Sequence, residues 1–338
     1  MTSGKEALIL IMAKILITGG AGFIGKDLAY KLSKENHDIT LADNFLRGRK
    51  DEKLELLLKL PNIKLIEADL TDKESWDKIG GGYDYVYHLV SINGFKQFLE
   101  IPQEVLRVGM TTTMNALEWF REKNRRPSAK ILYTSSNEVY IGAIEAFGTL
   151  PLPTPENVPV IIADTYNPRW SYAGQKLICE LFFIHYAKAY NLRMVIVRPH
   201  YIYGPGAGYD AMIPKIIERV KNRIEPFPII GGDDSRSYCY IDDATEGIIS
   251  AMESTKTDGG TYNIGSSEEV TIKNLIEKIF KIMDWTPKKT EIKDSPDGKI
   301  SRFLPDVSKI KRDTGWEAKI KFEEGLKKTV DWYLENPK

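Results

Sequence analysis

A β-forming run that passes straight into closely spaced glycines, ILITGGAGFIG, constrains this 338-residue chain more than any other feature. Lys14–Thr18 reads as a buried strand, Gly19, Gly22 and Gly25 as the turn after it, and residues 23–36 as the helix that follows. Gly20, Gly22 and Gly25 also satisfy GxGxxG spacing. Without a Cβ, such a turn tightens, lets backbone approach a pyrophosphate and packs the helix close on the strand. The amide groups and dipole of the helix then favour phosphate charge. The context makes the motif specific: Asp43 closes the second strand about 20 residues on, where a carboxylate binds adenosine ribose hydroxyls. That carboxylate would repel a 2′-phosphate, so the expected cofactor is NAD; Arg47 and Arg49 nearby partly offset this preference. Asp69 and Leu70, ending the third strand, are placed to contact adenine, with a helix N-cap as the alternative for Asp69.

The same rhythm continues to Pro199. Strand-like runs at 38–43, 63–68, 83–90, 129–136 and 192–199 alternate with helix-length segments at 51–60, 100–123 and 170–190. Strands alternating with helices imply βαβ units, hence a parallel sheet covered on both faces. The expected fold class is α/β: a Rossmann-type doubly wound parallel sheet over residues 13–199, with a smaller C-terminal α/β substrate-binding cap. The cap is mainly 200–338, with some segments, about 229–265, returning to the first domain. Helices are expected at 212–222, 271–283 and 322–335, with a Pro- and Lys-rich stretch running through Gly298.

Basic and acidic side chains balance at 47 each, so no general field attracts nucleic acid or an anionic membrane. The apolar run 7–12 is too short to span a bilayer, and a buried first strand is a better reading of this region than a signal peptide. Met12 is an alternative start. Cys179 and Cys239 lack CxxC spacing and read as reduced residues of a cytoplasmic protein. The four histidines show no ligand spacing, so no metal is expected, and His88 reads as a buried, hydrogen-bonded strand residue.

SYAGQK places Tyr172 and Lys176 four apart on one helical face. An ammonium beside a phenol favours phenolate, so the Tyr172 pKa is expected to fall from its ordinary value toward neutrality. The strand ending TSSNEVY delivers Ser135 or Ser136 to the C-terminal edge of the sheet, where ligands bind in open α/β folds.

With these residues in hand the chain resembles the extended short-chain dehydrogenase/reductase family, in its nucleotide-sugar epimerase, dehydratase and decarboxylase branch. The likeness runs from residue 13 to the C-terminus. It rests on TGGAGFIG, Asp43-Asn44, Asp69-Leu70, His88-Leu89, TSSNEVY, YAGQK, RPHYIYGP, SRSYCYIDD, YNIGSS and DVSKIKRDTGW. It implies that Gly19, Gly22, Phe23, Ile24, Gly25, Asp43, Asn44, Asp69, Leu70, Tyr172 and Lys176 hold NAD. It further implies Ser136, Tyr172 and Lys176 as an active triad. Tyr172 would take a proton from a sugar hydroxyl, usually at C4, as hydride passes to NAD. Ser136 would bond that oxygen, and Lys176 would also hold the nicotinamide ribose. The keto sugar then undergoes epimerisation, elimination or decarboxylation before hydride returns.

The resemblance makes a nucleotide-diphosphate sugar the substrate, with Arg236 on the diphosphate, Arg302 assisting, and Asn137 and Tyr201 in the sugar site. Glu138 matches an acid of the dehydratases and decarboxylases, but Asn137 stands where the dehydratases carry Asp. An amide has no proton to give a departing 6-hydroxyl. NPRWSYAGQK resembles the decarboxylase of the lipid A aminoarabinose pathway, whereas Gly206 replaces the arginine usual in those decarboxylases. Tyr201 and Gly109 replace two asparagines common in the family, pointing to an altered pocket or a less common member. Tyr201, Tyr203 and Tyr209 either line the sugar or base site or pack in the core. The main expectation is an NAD-dependent nucleotide-sugar epimerase or dehydratase. The alternatives are a nucleotide-uronic acid decarboxylase, a nucleotide-sugar 4-dehydrogenase and, remotely, a non-catalytic NAD-binding sensor. Residues 177–190 are apolar on nearly every side, and in the family this helix pairs with that at 100–123 in a homodimer interface.

Overall fold

The computed structural model describes residues 12–294 and 302–337; the run 7–11 and the end of the Pro- and Lys-rich stretch, 295–298, lie outside them. Six strands and their connections come first: β1 Lys14–Thr18, α1 Phe23–Ser33, β2 Asp38–Asp43, α2 Glu52–Leu58, β3 Ile63–Glu67, α3 Lys73–Ile79 and β4 Tyr85–His88. Then follow α4 Phe95–Glu100, α5 Pro102–Lys123, β5 Lys130–Thr134, α6 Ile141–Phe147, α7 Trp170–Tyr190 and β6 Arg193–Pro199. The segment expected as one helix from residue 100 divides at Ile101, because Pro102 opens α5 and has no N–H to continue α4.

Beyond β6 lie β7 Ile202–Tyr203, α8 Met212–Lys221, β8 Phe227–Ile230, β9 Ser235–Ser237, β10 Cys239–Tyr240 and α9 Ile241–Glu253. The chain ends with β11 Thr261–Ile264, β12 Glu269–Thr271, α10 Ile272–Ile282, β13 Thr290–Lys293, β14 Arg302–Phe303, α11 Ser308–Thr314 and α12 Phe322–Glu335.

Seven parallel strands form the main sheet in the order β11-β6-β5-β4-β1-β2-β3. Alternation along each strand feeds two cores. Ile15, Ile17, Leu132 and Val195 face α1, α2 and α9, whereas Leu16, Ile131, Tyr133 and Ile196 face α3, α5 and α7. Strand order reverses between β1 and β4, the switch point at which such sheets open a crevice. Although β11 lies well past residue 200, it pairs with β6, Thr261 opposite Ile196. A third core joins α8, α10 and α12 through Ile216, Leu275, Ile279 and Val330 beside the small sheet β12-β9-β14. β13 pairs with β8 but exposes all four residues, so no alternation in its sequence marks it as a strand. Among the described residues no helix is long and apolar enough to cross a membrane.

One buried cation ties the base of the sheet to the later chain. Lys130, fully buried at the start of β5, donates to the carbonyls of Ala251 and Ser254 and to Thr257 Oγ1, and pairs with Asp258 at 2.8 Å. Lys130→Ala strands these acceptors and should lower the unfolding free energy by about 2–4 kcal/mol. Urea denaturation checks this; an unchanged midpoint would show that the ammonium contributes nothing.

Candidate active site

The glycine turn has the geometry a dinucleotide requires. Gly19 sits at φ +71°, and a Cβ on Gly25 would lie 2.5 Å from the Gly19 carbonyl oxygen, so only glycine lets α1 approach β1 this closely. Among the described residues, the amides of Phe23, Ile24 and Gly25 at the start of α1 have no hydrogen-bond partner. Their donor set fits a pyrophosphate. The side chains of Phe23 and Ile24 turn away to pack on the third core. Gly19, Gly22, Asp43, Asn44, Asp69 and Leu70 all line one cavity beside this turn, as does Arg47.

The two carboxylates of that cavity are held by backbone. Asp43 accepts from Ala21 N at 3.0 Å and Phe45 N at 2.8 Å; burial raises its pKa and these bonds oppose the rise. Asp69 accepts from Thr71 N at 2.9 Å and from the Thr71 hydroxyl, an Asx turn, whereas the N-cap of α3 is Asp72. Burial raises the Asp69 carboxyl, but hydrogen bonds from Thr71 and Asn44 outweigh it and bring it below its ordinary value. The remaining lone pairs of Asp43 suit ribose hydroxyls, so the cavity fits NAD.

At the C-terminal ends of β5 and β6 the candidate catalytic groups meet. Ser135 donates to Glu180, which Arg198 grips with Nε at 2.9 Å and Nη2 at 2.7 Å. Ser136 is the serine that reaches Tyr172, while its Oγ also accepts from Glu138 N at 3.2 Å. Tyr172 is buried and stacks on Phe98, ring centroids 4.6 Å apart. Lys176 Nζ lies 5.5 Å from the Tyr172 ring centroid and donates to Thr134 O at 2.7 Å.

The expected fall of the Tyr172 pKa does not occur in the protein alone. Burial pushes the phenol well above its ordinary value, Glu138 adds to the rise, and the Ser136 hydrogen bond only partly opposes it. Lys176 is itself desolvated, pulled down to about 8 by burial, and its ammonium is engaged by a carbonyl. Tyr172 is therefore a neutral phenol here.

The residues expected at the sugar end lie beside these groups. Asn137 is buried, and its Nδ2 makes no hydrogen bond of normal geometry. Tyr201, at φ +40°, is half-buried next to Asn137 and feels the charges of both Glu138 and Arg236. It thus spans from the turn at Asn137 to Arg236, whose guanidinium lies 5.8 Å from the Tyr201 ring centroid. Arg236 donates to Ser235 O at 2.7 Å and lies 3.6 Å from Asp234. Tyr203 is buried, bonding the Phe322 carbonyl within the third core. Tyr209 bonds the Asn336 carbonyl.

Arg302 is not brought to Arg236. It stands opposite Ser235 on the neighbouring strand, one register position away, so its side chain projects from the other face of the small sheet. There it forms a bidentate pair with Glu269, at 2.6 and 2.8 Å. Gly109 also has a local reason: a Cβ would lie 2.2 Å from Gln175 Cδ, so the buried Gln175 side chain fills this space and bonds the Tyr133 hydroxyl. Gln175, Glu180, Arg198 and Arg169 escape sequence reasoning. The one local signal is Arg169, a cation at a helix N-terminus.

Residues 15–265 match the model of the NAD dependent epimerase/dehydratase family. The chain is 32% identical over 330 residues to the UDP-N-acetyl-alpha-D-glucosaminuronate decarboxylase of Bacillus cytotoxicus, covering 95% of this chain and 98% of that one. It is 30% identical to UDP-glucuronic acid decarboxylase 3 of Arabidopsis thaliana, over 93% of this chain and 86% of the relative. Among solved structures, the UDP-N-acetylglucosamine 4-epimerase of Methanobrevibacter ruminantium superposes with a TM-score of 0.83 at 26% identity, covering 96% and 99% of the two chains.

His88, fully buried against α7, lies 2.9 Å from Thr18 Oγ1 and 3.3 Å from Thr113 Oγ1. Burial pulls its pKa from 6.5 down to about 3. Below pH 6.5 the unfolded chain therefore binds a proton that the folded one refuses, so stability falls as pH falls toward 3. His88→Gln should reduce that slope by about 1 kcal/mol per pH unit between pH 6 and pH 4. Denaturant midpoints across this range test it, and identical slopes would refute a neutral His88.

Proposed function

The chain belongs to the NAD-dependent epimerase/dehydratase family, and on that footing we propose that it interconverts a nucleotide-diphosphate sugar through a transient 4-keto intermediate. It is an NAD-dependent nucleotide-sugar enzyme; the residue roles and the fate of the intermediate are our reading. The observation that carries it is the convergence of Ser136, Tyr172 and Lys176 at the edge of the sheet beside the NAD cavity. Residues 13–199 then serve mainly the cofactor, and most of 200–338 the nucleotide sugar.

Ser136 orients the C4 hydroxyl, Tyr172 receives its proton, and Lys176 supports the phenolate and the cofactor ribose. Bound NAD supplies the hydride acceptor and, in its oxidised ring, a positive charge that favours the phenolate the protein alone disfavours. Tyr201 and Arg236 take the junction between sugar and diphosphate, since a guanidinium fork suits phosphate oxygens. Asn137 lacks the proton that loss of a 6-hydroxyl needs, which favours epimerisation or decarboxylation over 4,6-dehydration. Decarboxylation is the second reading, supported by Glu138 and by the uronate decarboxylases among the relatives.

We further infer a cytoplasmic homodimer. The two cysteines are free and buried, which suits a reducing compartment. Met114 on α5 and Leu181 on α7 are more than 40% exposed, on helices that pack on each other. Light scattering at micromolar concentration should give twice the mass of one chain; a single-chain mass would reject the dimer.

Tyr172→Phe should lower turnover by about 10²–10⁴-fold on whichever of the UDP-, GDP-, CDP- or dTDP-sugars the enzyme accepts. Mass spectrometry with NMR should show an epimer or loss of carbon dioxide. Full turnover in this variant would overturn Tyr172 as the base, and loss of water would overturn the role given to Asn137.

A further inference from the structure

Arg169 stands immediately before α7, with helical dihedrals. A cation there opposes the helix macrodipole at a cost of about 0.3–1 kcal/mol. Its side chain is only 13% exposed, yet among the described residues its guanidinium donates no hydrogen bond. Its contacts are the Trp170 ring, 4.9 Å from the centroid, and Glu138 Oε2 at 3.9 Å, too far for a hydrogen bond. A planar fork of five N–H donors thus faces one carboxylate across a long ion pair and gives it no hydrogen bond.

The pocket around it has a surplus of donors. Asn137, 6% exposed, adds an Nδ2 whose one polar neighbour is the Tyr201 hydroxyl, outside normal hydrogen-bond geometry. Glu138 is the acid at this end, and its charge acts on both Tyr172 and Tyr201, which locates the Arg169–Glu138 pair beside the sugar position. Arg169 precedes Tyr172 by three residues on a continuous helical backbone, so their Cβ atoms are about 5–6 Å apart. That separation matches a substituent on the carbon next to the one whose hydroxyl Tyr172 addresses.

Resting on the assignment of Tyr172 to the C4 hydroxyl, we propose that Arg169 is the docking group for a carboxylate carried next to the reacting carbon, and that the substrate is a nucleotide-linked sugar acid. A carboxylate accepts two parallel charge-assisted bonds from the fork and a third from Asn137 Nδ2. Arg169 also neutralises the repulsion that Glu138 alone would exert on such a group. A neutral hydroxymethyl in the same place leaves the guanidinium with only its long Glu138 pair and the amide with only the Tyr201 hydroxyl, so the preference for an acid comes from both attraction and penalty.

Binding is measured by calorimetry on the NAD-loaded Tyr172→Phe protein, which separates recognition from turnover. The probes are matched pairs, UDP-glucuronate with UDP-glucose and dTDP-glucuronate with dTDP-glucose. The acid of the accepted nucleotide should bind at least tenfold more tightly than its neutral partner. Adding Arg169→Met should reduce that preference at least tenfold, and Arg169→Lys, which keeps charge but not the fork, should restore part of it. Asn137→Asp provides a second arm that leaves the helix terminus alone: the added charge should weaken the acid relative to the neutral sugar. Equal binding of acid and neutral sugar, or a preference that survives Arg169→Met in a protein with unchanged thermal unfolding, overturns the proposal while leaving the nucleotide-sugar reading standing. Binding of neither member of either pair overturns the UDP- and dTDP-sugar reading on which the proposal rests, and the proposal with it.

Discussion

The bidentate pair between Arg198 and Glu180 is the interaction around which the candidate active site is assembled. Both side chains are buried. Burial works against the Arg198 charge, but hydrogen bonds and attraction from Glu180 more than offset it and raise its pKa. The pair joins β6 to α7 one turn beyond Lys176, and Ser135 on the β5 side bonds the same carboxylate. Arg198 also donates to the Tyr140 hydroxyl at 2.8 Å and the Glu156 carbonyl at 3.1 Å. Tyr140 passes the chain of bonds to Asn263 on β11, whose amide reaches the carbonyls of Thr154 and Asp306. Removing one member would leave the other an uncompensated buried charge, which is why such networks hold one arrangement. The register of Ser136 against Tyr172 and Lys176 is set here.

Within that frame the site is arranged for a bound state and not for itself. Tyr172 is held neutral, Lys176 is weakened as a cation, the Asn137 amide makes no hydrogen bond of normal geometry and Arg169 faces Glu138 without closing on it. Each is a deficit that a charged cofactor or an acceptor-rich substrate can fill. Buried groups prepared in this way need no rearrangement when the complementary charge arrives.

Much of this architecture is legible in the chain. β1, the glycine turn and α1 follow from a buried strand and glycines at close approach, and the span of α7 is read directly because long amphipathic or apolar segments carry their own period. Edge strands are not legible in this way: the four residues of β13 are all exposed and carry no pattern. Tyr172 and Lys176 are found because their spacing is local. The opposite faces of Arg236 and Arg302 are invisible, because strand register, set by partners far apart in sequence, decides them.

By itself the sequence determined the αβ alternation, the glycine turn, the acid that ends β2 and the pairing of Tyr172 with Lys176, all of which depend on neighbours within one or two turns or strands. Tertiary structure alone decided which serine reaches Tyr172, since Glu180 claims Ser135 and leaves Ser136. It also decided that Gln175 fills the space above Gly109, and that Arg169 rests against Glu138. Above all it decided the protonation of Tyr172. Spacing suggests a phenolate beside an ammonium, but burial of both groups and the carbonyl that engages Lys176 make the phenol neutral. Desolvation depends on everything packed around a group, and no local pattern encodes it.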